Sequence, residues 1–261
     1  MTPIVLVAFV VLVQVTLLVA LVRWGTRWGA TPEERAEPLP GDDYFAGGPA
    51  ARVAMTRAIS IDAAPETVWP WLAQLGRGAG FYSLDRLDNG GRMSARHIVS
   101  WVPPPRPGDA SAIGYLREVV PGSHLTWWVP GLRFLGAFAR LVVDIRLRPR
   151  GSGSRLVIRM SADAAGAMAR PALWVFQLID SIMACTQLLR LKERAETCGA
   201  RSSDPERPET GARDQFQLYE VLYASGEKAG VPGQEEAARW HHAAAAAGLA
   251  DASRPTQKRS N

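Results

Sequence analysis

Apolar positions follow three rhythms along the chain. From Pro3 to Val22 they run unbroken except for Gln14 and Thr16. As a helix rising about 1.5 Å per residue, this stretch is about 30 Å long, the thickness of a bilayer's hydrocarbon core. Arg23, Trp24, Arg27 and Trp28 follow at once and read as an interfacial belt. A cleaved signal peptide is the competing reading. It wants a cation before the apolar run and a small-x-small site after it. No charged side chain precedes the run, and Leu18-Val19-Ala20-Leu21-Val22 offers no such site. Residues 1–28 are therefore expected to be a retained transmembrane anchor. The cations on its C-terminal side make this a single-pass protein of the cell membrane with its domain in the cytoplasm.

Residues 29–51 are rich in Pro, Gly and acids and read as a linker standing the domain off the membrane, with Tyr44 and Phe45 as candidates to dock on it. From residue 52 the rhythm becomes alternation. Met55 to Ile61 places Met55, Arg57, Ile59 and Ile61 on one face of a strand. A helix then starts at Pro65-Glu66, carries Val68, Trp71, Leu72 and Leu75 as its apolar stripe, is kinked by Pro70, and ends at Gly76, Gly78 and Gly80. Strands are predicted over Tyr115–Val120, His124–Val129, Ala139–Arg148 and Arg155–Ala162, the last two joined by residues 149–154 as a hairpin connection. Leu141, Val143, Ile145 and Leu147 alternate with Val142, Asp144, Arg146 and Arg148, which predicts one buried and one wet sheet face.

The third rhythm is helical, from Pro171 to about Thr197, with a wide apolar arc. Gln177, Asp180 and Ser181 interrupt it too much for a second membrane span. Beyond Cys198 lie a polar stretch and two short helical patterns around Phe216, Tyr219 and Trp240. They are read as a C-terminal helical hairpin over 199–250, with a disordered tail over 251–261. An antiparallel sheet covered by a late helix is an α+β layout, here over residues 52–198.

Composition narrows the chemistry. With 261 residues, 47% hydrophobic, 21% charged and 9 Trp, the chain can build a full core. Two Cys exclude a disulfide scaffold and a Cys-based zinc site, and four His, two of them the adjacent His241-His242, argue against a metal centre. Cys185 and Cys198, on one helix and about 20 Å apart, cannot bridge. The net charge of +5 is concentrated on the middle of the chain. Its Arg are scattered, without a nucleic-acid motif, so nucleic acid is not an expected partner. No nucleophile elbow, zinc-protease motif, phosphate loop or dinucleotide fingerprint is present, and no cofactor is implied.

The run TRAISIDAAPETVWPWLAQLGRGAGFYSLDRLDN (56–89) and the helix ending LIDSIMACTQLLRLKERAE (178–196) resemble the START-like helix-grip superfamily (SRPBCC), in its polyketide cyclase/dehydrase-like branch. Pro65, Trp69, Trp71, Gly80, Phe81 and Tyr82 carry the pattern. Related sequences often have an aromatic after the Asp of the YS-x-D segment, where this chain has Arg86. The resemblance implies a curved antiparallel sheet gripping the C-terminal helix around an apolar cavity for a lipid, sterol or polyketide. Some members catalyse cyclisation or dehydration there, and many only bind.

Candidate site residues follow, each with two open readings. Trp127, Trp128, Met160, Phe176, Ile179 and Met183 line the cavity or form ordinary core. Trp71 lines the ligand site or packs under the sheet. Phe81 and Tyr82 form a lid or a packed corner. Arg57 points inward to hold a ligand carboxylate or phosphate, or snorkels to the sheet edge. Asp180, among apolar neighbours, needs a structural partner, an Arg being the natural one. Asp85, Arg86 and His97 are the best polar cluster, for acid/base work or for surface salt bridges. The apolar stretch 132–138 dips into the bilayer, caps the cavity or packs on the sheet edge. The leading expectation is a membrane-anchored binder or handler of a hydrophobic small molecule or lipid. The alternative is a cyclase/dehydrase-type enzyme, and a third reading is a scaffold whose cavity its own side chains fill.

Overall fold

The computed structural model describes residues 3–45, 51–89, 91, 93–99, 102–109 and 114–197. The readings made for 198–261, including the helical hairpin and the tail, lie outside the described residues. In chain order the elements are helices α1 (Pro3–Gly25) and α2 (Pro32–Ala36), a 3-10 turn (Pro40–Phe45), strand β1 (Ala51–Ile61), helices α3 (Pro65–Ala73) and α4 (Asp85–Asp88), strands β2 (Tyr115–Val120), β3 (His124–Phe134), β4 (Ala137–Arg150) and β5 (Gly153–Ala165), and helix α5 (Ala169–Thr197). The five strands form one antiparallel sheet in the order β1-β5-β4-β3-β2, and α5 packs on it along β1. This α+β arrangement fits the helix-grip layout.

Local chemistry explains most boundaries. Pro65 opens α3 with Glu66 in its first turn, and Pro70 is accommodated inside it. The strands run further than alternation predicts. β4 and β5 continue to Arg150 and Gly153, leaving a turn of Gly151-Ser152. The stretch 132–138 is not a connection: it is the paired ends of β3 and β4. Leu135 (φ 47°) and Gly136 (φ 78°) form the tip, both left-handed, the twist a two-residue hairpin needs. Pro130-Gly131 does not stop β3 but sits at a register shift between Val129 and Leu132.

The sheet's inner face and α5 enclose the core. Ile59, Trp71, Leu125, Trp127, Ile145 and Leu188 belong to one large cluster, and Leu141, Ala162 and Leu173 to a second at the far end of the sheet. The outer face is wet toward its hairpin end, where the Arg148 side chain is 42% exposed, and covered over its middle. Thr126, Trp128, Val142 and Asp144 are all buried on it. The cover is the stretch 31–45, expected as a loose linker and found here as a strap across the sheet. Its ordering begins with a capping box: Thr31 accepts from the Glu34 N–H, and Glu34 accepts from the Thr31 N–H. Arg159, buried in mid-sheet, donates to the carbonyls of Glu34, Arg35 and Glu37 and to Asp42, which pins the strap by its backbone. Arg155 pairs with Glu34, and Arg146 and Arg148 share Glu37. Tyr44 and Phe45 close the strap edge-on against Trp128.

The end of α1 is also built into the domain. The Gly25 carbonyl accepts from Arg57 Nε (2.6 Å), and a Cβ at Gly25 would stand 2.6 Å from that of Ser181 on α5. The carbonyl of Trp28 accepts from the Ala58 N–H (3.0 Å) on the outer edge of β1. The carbonyl of Gly29 accepts from Arg155 (2.7 Å). Residues 3–17, by contrast, are exposed throughout. By length and composition α1 is long and apolar enough to cross a membrane. Helix α5 passes the same test, yet its Leu173, Ala184, Leu188 and Leu191 are buried against the sheet.

Candidate ligand site between the sheet and helix α5

The apolar cavity expected from the sequence lies between the inner sheet face and α5. Bulky side chains pack there. Trp71, Tyr82 and Trp127 are all buried, and Trp71 and Tyr82 meet edge to face at 6.0 Å. Tyr82 is a packed corner. Its hydroxyl accepts from Gln74 Nε2 (2.7 Å) and faces the Trp71 carbonyl (3.4 Å), and the Arg194 guanidinium lies 4.7 Å over its ring. Burial pushes the Tyr82 hydroxyl well above the ordinary tyrosine range. Phe81, half-buried beside it, is held through its carbonyl by Gln187.

Among the described residues, a small cleft of about 10 Å³ lies at the far end of the sheet, just room for one water. Its walls are Ala137, Ala139, Ala162, Ala164 and Ala172. Leu141 and Leu173 flank them, and Phe134 and Phe176 face each other across it at 6.1 Å. No polar atom lines the cleft. The exposed Leu135 and Met168 stand at the same end. The register explains the alanines: Ala139 pairs with Ala164 and Leu141 with Ala162. Only this pairing gathers the alanines, so the sequence alone carried no signal for the cleft.

The predicted lining residues are thus divided. Phe176 lines the cleft. Met160 is partly buried and touches both core clusters. Trp71, Tyr82 and Trp127 are core, Trp128 is on the outer face under the strap, and Ile179 is 39% exposed on the outside of α5. Met183 is half-buried, and its carbonyl accepts from Ser83 (2.9 Å).

The predicted polar residues do not converge on the cleft. Arg57, 1% exposed, is committed to Asp180 at 2.7 Å, to the Gly25 carbonyl and to Ser181. Burial pushes Asp180 above the usual carboxylate range, and the Arg57 guanidinium opposes that shift. Asp85 accepts from Ser94 Oγ (2.5 Å) and lies 3.7 Å from Arg190. His97 contributes its carbonyl to Gln74, and no hydrogen bond or ion pair joins its ring to Asp85 among the described residues. Gln74, unnoticed in the sequence, ties the loop together by also accepting from the Val99 N–H (2.8 Å). No group of three or more metal-ligating side chains occurs among the described residues.

A second polar cluster lies under the strap. Asp144 accepts from Thr126 Oγ (2.9 Å) and the Gly41 N–H (3.3 Å), with His124 Nε2 at 3.7 Å. Burial pushes Asp144 up to about 6 and holds His124 below its ordinary value.

No family model matches the sequence, and no curated protein sequence matches it. Solved structures do. The dynemicin-locus protein DynU16 is 15% identical, with 60% of this chain and 51% of that one covered and a TM-score of 0.34. The di-domain ARO/CYC StfQ of the steffimycin biosynthetic pathway is 14% identical over 60% of this chain and 54% of its own, with a TM-score of 0.34. The Aha1 dimer from Colwellia psychrerythraea is 15% identical over 56% and 97%, with a TM-score of 0.30. The chain therefore spans about half the length of DynU16 and StfQ. The solved structures this chain is similar to include Aha1-like and polyketide cyclase/aromatase proteins.

Proposed function

We propose that this is a membrane-anchored protein that binds or handles a hydrophobic small molecule or lipid, with the domain on the cytoplasmic side. The observation that carries this reading is the cleft of alanines and two phenylalanines, which has no polar atom in its lining. Such a surface has affinity only for hydrocarbon. At about 10 Å³ the cleft is closed, so a ligand enters as the first turns of α5 lift away and part Phe134 from Phe176. A photoactivatable fatty acid supplied to the full chain in nanodiscs tests this. Crosslinks are expected on residues 134–141 and 172–176, and Ala164→Phe, which fills the cleft, is expected to abolish them. Crosslinking confined to α1, or unchanged in Ala164→Phe, would remove the cleft from the function.

The volume itself favours a second reading, a sealed scaffold that only presents its surfaces; in that case no crosslinks form at the cleft. The cyclase/dehydrase alternative lacks comparable support, because Asp85 and His97 serve separate structural partners and no ionisable group lines the cleft.

A further inference from the structure

A groove of about 330 Å³ lies where α1 meets the domain, lined by Thr26, Arg27, Arg35, Ala54 and Thr56. Its walls come from three elements that the fold brings together: the turn after α1, the helix α2 in the strap, and the free edge of β1. Two of its five lining residues are arginines. Among the described residues, neither Arg27 nor Arg35 has an acidic side chain within 4 Å, although Arg155, Arg159, Arg146 and Arg57 are all paired. Two cations without an acidic partner among the described residues thus face this groove.

The rest of the lining supplies hydrogen-bond donors. The Ala58 N–H points away from β5, since it bonds the Trp28 carbonyl. Backbone groups in an antiparallel strand alternate sides, and β1 is in regular register with β5, so the amides of Ala54 and Thr56 also point to the open edge. Thr56 Oγ accepts from Arg159 Nε (3.0 Å), which leaves its own proton to give. The carbonyls that end α1 do not oppose an anion here. Val22 accepts from the Thr26 N–H, Arg23 from Thr26 Oγ, Trp24 from the Arg27 N–H, and Gly25 from Arg57.

We infer that this groove binds a phosphoryl group, supplied by the headgroup of an anionic phospholipid. Two guanidiniums, edge amides and a hydroxyl match the oxygens of a phosphate. The place matches the source. The groove begins four residues after the apolar run of α1 ends at Val22, and a helix that fills the hydrocarbon core delivers its next turn to headgroup depth. The lipid source rests on the proposed membrane seating of α1, whereas the phosphoryl site itself does not.

The test uses the full chain in neutral detergent micelles and native mass spectrometry or calorimetry with water-soluble probes: dihexanoyl phosphatidic acid, dihexanoyl phosphatidylcholine and inorganic phosphate. Phosphatidic acid is expected to bind at least about tenfold more tightly than phosphatidylcholine. Arg27→Ala/Arg35→Ala is expected to weaken it by about tenfold or more. Arg27→Lys/Arg35→Lys should retain part of the affinity, and Arg86→Ala, an exposed arginine on α4, should change nothing. Unchanged melting temperatures keep the loss from being a folding defect. Equal binding by wild type and the double alanine variant would overturn the site. Inorganic phosphate competing as well as the lipid would overturn the lipid assignment and leave a site for a soluble phosphoryl compound. Alkaline carbonate extraction separately reads whether α1 is membrane-seated, so failure there is distinguishable from failure of the groove.

Discussion

Arg57 on β1 and Asp180 on α5 form an ion pair at 2.7 Å in which both side chains are all but removed from solvent. The pair joins sheet to helix, and through the Gly25 carbonyl it joins both to α1. Breaking it from one side strands a charge in the core. Asp180→Ala is expected to cost about 3–5 kcal/mol. Replacing both by apolar groups, Arg57→Met with Asp180→Leu, should recover most of that loss. Thermal melting of the full chain in micelles reads both. A single variant as stable as wild type would mean that water reaches the pair.

Asp144 makes stability depend on pH. Its folded pKa of about 6 lies above its ordinary 3.8, so the folded state holds the proton more tightly than the unfolded state does. The contribution is therefore fully present below 3.8 and is lost as pH rises through about 6. His124, held low by burial, pulls in the opposite sense, while Asp42 and Arg159 face the same carboxylate. Asp144→Asn keeps an acceptor for Thr126 and Gly41 without the buried charge. At pH 7.5 it should be more stable than wild type by about 1–3 kcal/mol, with little difference at pH 4. Melting curves at the two pH values check this, and a variant less stable at pH 7.5 contradicts it.

The place where a truncation begins should decide whether it folds. Removing residues 1–17 deletes helix whose described residues are all exposed, whereas removing 1–29 also deletes the carbonyls of Gly25, Trp28 and Gly29 that hold Arg57, Ala58 and Arg155. The shorter deletion is expected to give a folded protein. The longer one is expected to melt at a clearly lower temperature, having lost three hydrogen bonds worth about 1 kcal/mol each or more. Equal melting temperatures would mean that this junction is ornamental to the fold.

Gly29 offers a gentler probe of the same junction. Its φ of +68° is left-handed, and a Cβ there would run into the Ala58 carbonyl. Gly29→Ala should cost at least about 1–2 kcal/mol from the backbone alone. It should also open residues 26–31 to limited proteolysis. Cleavage as slow as in wild type would place the segment's hold elsewhere.

Orientation has its own readout. With Arg23 and Arg27 on the C-terminal side of α1, a reporter fused after Asn261 is expected to be active in the cytoplasm. Activity only on the far side of the membrane reverses the topology.

Periodicity located β1, the sheet strands and α5, because each repeats its apolar positions over six residues or more. It could not place the strap. Residues 31–45 have almost no apolar rhythm and bind through backbone carbonyls and acids, whose partners Arg155, Arg159, Arg146 and Arg148 lie more than 100 residues away. The same alternation that marked Val142 and Asp144 as a wet face was correct about the pleat and silent about the second cover. In the candidate site, burial of Trp71 and Trp127 was legible from residue type. The alanine cleft was not, since small residues mark a hollow only after pairing sets Ala139 beside Ala164. The Asp180 carboxylate was the reverse case: its cost among apolar neighbours called for a structural partner, and Arg57 is that partner.

The junction at Gly25, Trp28 and Gly29 leaves no slack between α1 and the sheet. Helices seated in bilayers tilt to match their apolar length to the hydrocarbon thickness. A helix joined by a loose tether would tilt alone. With α1 seated in a bilayer as proposed, its lean would become the lean of the whole domain, so a thinner bilayer would tip the sheet and cleft toward the lipid surface and a thicker one would stand them upright. Membrane thickness would then set the attitude of the protein.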